Sequence, residues 1–307
     1  MTSLGDAGLQ RIGALPPGTL PPGMGEPRHR LGRVRAGWRA VSPGMRFGIA
    51  IMLLMIILSI VVPALSPYDT RRGGPDANLP PSSEYWFGTD HLGRDVFART
   101  FEAARIDILL AAAAVSVPLL VGTIVGSIIG ITRSRLVQNA GDLAIEVINS
   151  FPTLIIVIAL VAAFGRGTRG ILLGLFITAW ARYAKVARAR ALIIRDMDYL
   201  EAGRCLGYSR ARILGRHVAP NVFPLTLAYA VSDFVVVILA VAGLSFLGAG
   251  VQPPTPEWGA MLNDARLHIF RAWWPVLFPG IMLSITALGV SLIARGIGRR
   301  VSENLVG

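Results

Sequence analysis

Six apolar runs divide this 307-residue chain, and their lengths restrict it to a narrow set of folds. They cover residues 47–65, 109–131, 143–164, 171–184, 222–247 and 275–294. At a rise of about 1.5 Å per residue, about 20 helical residues cross a hydrocarbon core of about 30 Å. Five of the runs reach roughly that length unaided, whereas the fourth spans only by drawing in flanking residues such as Gly170 and Lys185. With 53% hydrophobic and 16% charged residues, the composition suits a lipid environment better than water. Backbone N–H and C=O groups find no water in lipid, and no alternating ten-residue barrel pattern is present. The expected class is therefore an all-α membrane protein of about six transmembrane helices.

The formal net charge of +12 raises nucleic acid as a partner. That reading needs basic residues clustered on a solvated face, and here they sit between apolar runs, so no nucleic-acid partner is expected. Residues 1–46 carry seven Arg, Pro16-Pro17 and Pro21-Pro22, and no apolar period, which predicts a disordered basic tail. A charged stretch this long does not fit the short leading region of a signal peptide, so the first run is expected to stay as an anchor. With the N-terminus inside, inner segments hold 21 of the 30 Lys and Arg, so both termini are expected in the cytoplasm. The single cysteine, Cys205, excludes an intrachain disulfide.

No GxxxxGK[ST] phosphate cradle occurs, and Ala184 precedes the lone Lys185, so the chain is expected to hold no nucleotide through that motif. His29, His91, His217 and His268 are scattered, and no metal site is expected. Carboxylates within the apolar runs are few: Glu146 lies near the inner end of the third, and Asp233 lies deep in the fifth. Asp233 either faces a polar translocation path or pairs with a polar group on a neighbouring helix. Pro118 and Pro152 fall inside runs, where a lost backbone hydrogen bond bends a helix.

The loop 188–220 is basic and contains Asp198-Tyr-Leu-Glu-Ala-Gly-Arg-Cys-Leu-Gly207. It reads as a short helix in which Gly203 and Gly207, four apart, share a face that a partner can approach closely. Glu201 is placed to pair with Arg204 or to cap the helix. By composition alone, an ordinary solvated helix accounts for it equally well.

At this loop the chain resembles the EAA signature of ABC-importer permeases, carried by Glu201-Ala202-Gly203, Gly207, Ile213 and Pro220, with Gly203 in place of the usual third alanine. Three further segments resemble the C-type permease of the dipeptide, oligopeptide and nickel subfamily: Trp86 to Phe97, Ser150-Phe-Pro-Thr153, and Leu244 to Gly259. Where that subfamily often has an acid before Leu-Ser-Phe-Leu-Gly, this chain has Val241. The resemblance implies a type I ABC-importer permease fold with a cytoplasmic coupling helix. Its divisions are a cytoplasmic tail at 1–46, a first helix and extracytoplasmic loop at 47–105, a permease core at 106–300 holding the coupling loop 188–220, and a cytoplasmic tail at 301–307.

The implied partners are a second, B-type homologous permease, cytoplasmic ABC ATPase subunits that bind ATP and Mg, and an extracytoplasmic solute-binding protein. No catalytic site or cofactor is implied in this chain, which would act as a multi-pass subunit of a bacterial inner membrane. Tyr199, Glu201, Ala202, Gly203, Arg204, Gly207, Ile213 and Pro220 would couple it to the ATPase. Asp233 and Pro152 would lie on the translocation path. Pro253, Pro254, Pro256, Glu257 and Trp258 would meet the binding protein, or Trp258 would anchor a re-entrant turn at the membrane surface. Di- or oligopeptides are the implied cargo, with nickel complexes or another small solute as the alternative. Two other classes remain open from sequence: a secondary transporter or channel working alone, and a membrane scaffold whose basic loops bind acidic lipid or nucleic acid.

Overall fold

The computed structural model describes residues 42–306. Helix α1 spans Pro43–Leu65, α2 Val96–Ile131, α3 Arg135–Ser150, α4 Thr153–Phe164 and α5 Thr168–Arg195. Short α6 (Asp198–Cys205) and α7 (Arg210–Ile213) lead through a π turn into α8 (Ala219–Phe246). The chain closes with α9 (Trp258–Ala265) and α10 (Trp274–Val306). Among the described residues there is no strand, only one isolated bridge between Thr89 and Asp95.

Five helices are long and apolar enough to cross a membrane, and the α3–α4 pair makes a sixth if counted as one span bent by 85°. The difficulty expected at the fourth apolar run therefore falls on the third. α5 solves the shortage of apolar residues by continuing as one 28-residue helix through its Arg and Lys. The third run is split because Pro152 has no N–H to continue a helix and holds Phe151 extended before it. Pro118, by contrast, is absorbed within the unbroken α2.

Three boundaries differ from the sequence expectation. The first helix begins at Pro43, where the Ser42 hydroxyl accepts from the Met45 N–H at 3.3 Å, so the expected tail 1–46 ends earlier. Residues 1–41, where most of that expectation falls, lie outside the described residues. α2 begins at Val96, capped by Asp95, which accepts from the Ala98 N–H at 2.8 Å, so ten residues assigned to the outer loop are helical. α10 runs on through Val306 into the segment expected as a terminal tail.

α2 is the central element, and its contact with α5 is a seam of small residues. A Cβ added at Gly126 would sit 2.2 Å from the Ala184 carbonyl oxygen. At Gly122 it would meet the Trp180 carbonyl at 2.4 Å, and at Gly130 the Ala191 Cβ at 2.6 Å. Close backbone approach of this kind is how helices associate in lipid, where apolar side chains gain little by leaving hydrocarbon. α1 packs on α10 in the same manner, with Gly48 against the Gly289 carbonyl.

Contacts sort the connections to two ends. At one end, Trp274 Nε1 donates to the Thr89 carbonyl at 2.9 Å and Gly167 N to the Ala249 carbonyl at 3.4 Å. At the other, Arg133 meets Glu201 at 3.3 Å. Phe87 stacks on Phe278 at 3.9 Å and meets Phe97 edge-on at 4.8 Å, which fixes the 66–95 loop to α2 and α10. Gly88, at φ +70, is the turn that brings Phe87 and Thr89 to these partners.

Gly126→Val should lower the thermal midpoint of the detergent-purified protein by the equivalent of about 1–3 kcal/mol, as overpacking does. Gly280→Ala, where an added Cβ meets nothing within 4 Å, should show no such loss. Equal melting of the two variants would refute the seam.

Candidate functional site

The end expected to face the cytoplasm is organised by α6. Asp198 and Glu201 lie in its first turn and Arg204 in its last, the arrangement that complements the helix dipole. Its end is closed by Gly207 at φ +76: Gly207 N donates to the Arg204 carbonyl at 2.9 Å and Tyr208 N to the Gly203 carbonyl at 3.0 Å. That bond pair is a Schellman closure, which calls for a residue in the left-handed region. Gly207 is thus outside the helix, and the expected shared face with Gly203 does not form. Gly203 is buried, with the Tyr208 ring 3.4 Å from where a Cβ would sit, so it admits an intramolecular neighbour.

Leu200 and Ile213 root α6 and α7 in a buried cluster with Ala187, Ala191 and Ile194 of α5 and Val218 and Val222 beside α8. The outward edge carries Tyr199, Glu201, Ala202 and Leu206, the last 72% exposed, with Arg204 half-buried. Pro220 is exposed in the first turn of α8. Glu201 pairs with Arg133, at the end of α2, and not with Arg204. Both partners are more than 60% exposed, so the contact sets orientation more than stability.

At the outer end, the structure corrects the expected partner surface. Pro253 and Pro254 are exposed, but Pro256, Glu257 and Trp258 are buried. Trp258 Nε1 donates to the Thr100 carbonyl at 3.0 Å and its backbone N to Asp107 Oδ2 at 3.0 Å. Glu257 caps α9, accepting from Gly259 N at 3.1 Å and Ala260 N at 2.8 Å. Burial pushes the Glu257 carboxyl up, while its contacts with Asp107 and the two N–H donors act against the shift. Trp258 is therefore neither a docking residue nor a membrane-surface anchor, but a bolt between the 247–257 loop and α2.

Most of the 86–97 segment is likewise internal, with Trp86 and Leu92 exposed. Arg94 Nε meets Asp90 Oδ2 at 2.6 Å with both side chains buried, and Arg94 also reaches Asp264 at 3.7 Å. His91 stacks on His268 at 4.7 Å, and burial lowers the His91 pKa. Among the described residues no group of three or more His, Cys, Asp or Glu is placed to hold a metal ion.

Between the ends, Asp233 on α8 is buried and accepts from the Tyr183 hydroxyl at 2.8 Å. Arg182 Nη2 reaches the same carboxylate oxygen at 3.4 Å, and Arg182 Nη1 reaches Thr153 Oγ1 at 3.4 Å. Thr153 follows Pro152 at the α3–α4 break, so one guanidinium joins three elements. Pairing with neighbouring helices, one of the two sequence readings of Asp233, is what the structure contains.

The family model described as "Binding-protein-dependent transport system inner membrane component" matches residues 122–303, which take in α6 and its flanking helices. The dipeptide transport system permease protein DppC of Bacillus subtilis (strain 168) is 32% identical over 274 residues, 88% of this chain and 85% of its own. The chain belongs to this family of inner-membrane transport components. Another relative of this permease, the nickel transport system permease protein NikC of Escherichia coli (strain K12), is 31% identical over 85% of this chain and 95% of its own. Among solved structures, the MetNI methionine ABC transporter in inward-facing conformations superimposes with a TM-score of 0.53 at 15% identity, covering 67% of this chain and 95% of that one. That likeness supports the permease fold.

The residues missed by sequence reasoning are Arg182, Tyr183, Arg133 and Tyr208. Arg182 was expected among the basic residues of the inner loop, because four Arg and Lys close behind it mask the fact that the helix continues. A signal was present: Asp233 needed a cationic partner in lipid, and Arg182 is the first basic residue after the fourth apolar run begins.

Trp258→Phe should keep the ring packing but lose the bond to Thr100, lowering thermal stability by about 1 kcal/mol. Trp258→Ala should cost about 3–5 kcal/mol. A melt of Trp258→Ala matching the wild type would show that the loop is not bolted there.

Proposed function

We propose that this permease is the C-type, pore-forming subunit of an ATP-driven importer for di- or oligopeptides. It works with a second homologous permease, ATPase subunits that hold ATP and Mg in the cytoplasm, and an extracytoplasmic solute-binding protein that delivers the cargo. The peptide assignment rests on the relatives, which include DppC and an oligopeptide permease, OppC of Bacillus subtilis, 34% identical over 81% of this chain. Both termini and α6 lie on the cytoplasmic side, consistent with the bias of basic residues to that side. Nickel is the second reading, favoured by the NikC relative.

The observation that carries the reading is the construction of α6. Its inner face is part of the same buried cluster as α5 and α8, while its outer edge offers Tyr199, Ala202 and Leu206 beside Glu201. A push on that edge from a closing ATPase dimer is passed by Leu200 and Ile213 to two long helices at once. Packed side chains transmit displacement because the interior has little room to compress. Both helices bear on the 85° break through Arg182 and Thr153, so a tilt at the inner end reaches mid-span. Tyr199, Glu201, Ala202, Arg204 and Leu206 are the residues assigned to the ATPase contact, and Pro253 and Pro254 those left for the binding protein.

Glu201→Arg should reduce ATP-dependent peptide uptake by about tenfold or more in reconstituted complete transporter, since a like-charge contact across a docked interface costs about 1.4 kcal/mol or above. Membrane content should be unchanged, the Arg133 pair being exposed. Gly207→Val should have the same effect by straining the closure of α6. Full uptake in both variants would rule out α6 as the coupling element, and uptake by this chain alone under an ion gradient would replace the importer reading altogether.

A further inference from the structure

The mid-span polar cluster has features that a purely structural ion pair does not need. Arg182 lies 14 residues from Thr168 and 13 from Arg195, and Asp233 stands at the same positions in its own helix, between Ala219 and Phe246. The neighbouring Tyr183 packs against Gly122, midway along the apolar run 109–131. The pair is therefore near mid-bilayer depth, where a charged side chain is rare and expensive.

Asp233 is well served, sealed from solvent and held by the short Tyr183 bond. Arg182 is not. Both of its contacts to Asp233 and Thr153 are 3.4 Å long and single, whereas an Arg–carboxylate pair formed for stability is bidentate at about 2.7–2.9 Å. Its Nε is buried with no hydrogen-bond partner, as are those of Arg188 and Arg190, while the Tyr229 hydroxyl also meets the guanidinium. About a quarter of the Arg182 side chain remains open, and the chain neighbours of its two partners, Pro152 before Thr153 and Ser232 before Asp233, are exposed. An open guanidinium edge at this depth calls for a polar group from outside this chain, because hydrocarbon gives its N–H donors nothing to bond.

We propose that Arg182 is a docking point for the carboxylate of the passing peptide, midway along the translocation path, with Asp233 as the positioning residue that holds the guanidinium in place between passages. This deepens, and rests on, the peptide-importer reading above. A terminal carboxylate is the anionic group that peptides share whatever their side chains, so it offers a sequence-independent handle. The planar fork of Arg matches it where the point charge of Lys does not. Asp233 keeps the empty site neutral, avoiding an isolated cation at mid-bilayer. It also competes with the cargo for the same guanidinium, which keeps docking weak enough for release, as conduction requires. Thr153 links the site to the α3–α4 break, so occupancy and helix geometry are coupled.

The test uses the complete transporter in proteoliposomes, with its binding protein saturating and loaded with either a tripeptide or its C-terminal amide. Saturation removes differences in capture, so the ratio of ATP-dependent uptake rates reports the path. Wild type should favour the free acid by about tenfold, the scale of one charge-assisted hydrogen bond. Arg182→Gln/Asp233→Asn, which removes both charges without stranding either, should bring the two rates within about twofold. Arg182→Lys, which keeps the charge and the pairing with Asp233, should leave about a threefold preference and supplies the readout if the double variant fails to assemble. An undiminished preference in either variant overturns the proposal, as does equal slowing of both peptides with the ratio kept, which marks a structural pair or a contact to the second permease. Absence of ATP-dependent uptake of either peptide by the wild type overturns the peptide-importer reading, and the proposal with it.

Discussion

The close approach of α2 to α5 governs every level of this molecule. Gly122, Gly126 and Gly130 bring the two backbones together over about two turns, and the contacts set different things along α5. At Gly122 the approach fixes Tyr183, and with it the depth of the Arg182–Asp233 pair. At Gly130 it fixes Ala191, which belongs to the cluster that roots α6. In lipid, helices gain little by hiding apolar surface from one another, so such a seam depends on van der Waals contact that any side chain would abolish. The mid-span polar pair and the root of α6 are therefore positioned by one interface.

Polar groups inside the apolar body are arranged by the same economy. Asp233 has a tyrosine hydroxyl and a guanidinium, and Thr226 bonds Thr123 at 3.1 Å across α8 and α2. Arg188 meets Asp142 and ties α5 to α3, on the inner side of the break. Each of these groups is met from a neighbouring helix and so cross-links two elements, whereas Ser59, Thr178 and Thr286 bond carbonyls of their own helices. The Pro152 break fits this pattern, because a helix that stops at mid-span leaves backbone groups and a Thr hydroxyl available to other partners.

Much of the fold could be read from the chain, because membrane helices are specified by length and apolarity, and both are local properties. The short helix α6 was legible too, although Gly207, read as sharing its face with Gly203, instead ends it in the left-handed region. What escaped was tertiary. Nothing in the run of residues 253–258 distinguishes an exposed proline loop from one in which Trp258 is drawn under the loop by the carbonyl of Thr100, 158 positions away. The same holds for Gly203, whose missing side chain suggested an outside partner and instead accommodates Tyr208. The third and fourth apolar runs exchanged roles for a related reason. A hydropathy count penalises the charges of α5, although Asp233 compensates one of them, and it overlooks the single proline that divides α3 from α4.

The two ends of the molecule differ in how firmly they are held. The outer end is cross-braced by buried groups: the Arg94–Asp90 pair, the Glu257 cap, the indoles of Trp258 and Trp274, and the Phe87–Phe278 stack. The end that carries α6 has small apolar clusters, the partly exposed Arg188–Asp142 pair and the solvent-exposed Arg133–Glu201 pair. Interactions of the first kind resist separation by several kcal/mol each, whereas an exposed pair contributes about 0–1 kcal/mol. Under the proposed coupling role, a force applied at α6 would meet more compliant structure first and more rigid structure last, and the helices would pivot about the braced end. The 85° break lies between these regimes. In that proposed movement, a tilt of α5 about the braced end would change the distance from Arg182 to Thr153 early, which makes the guanidinium a natural place for motion to be felt.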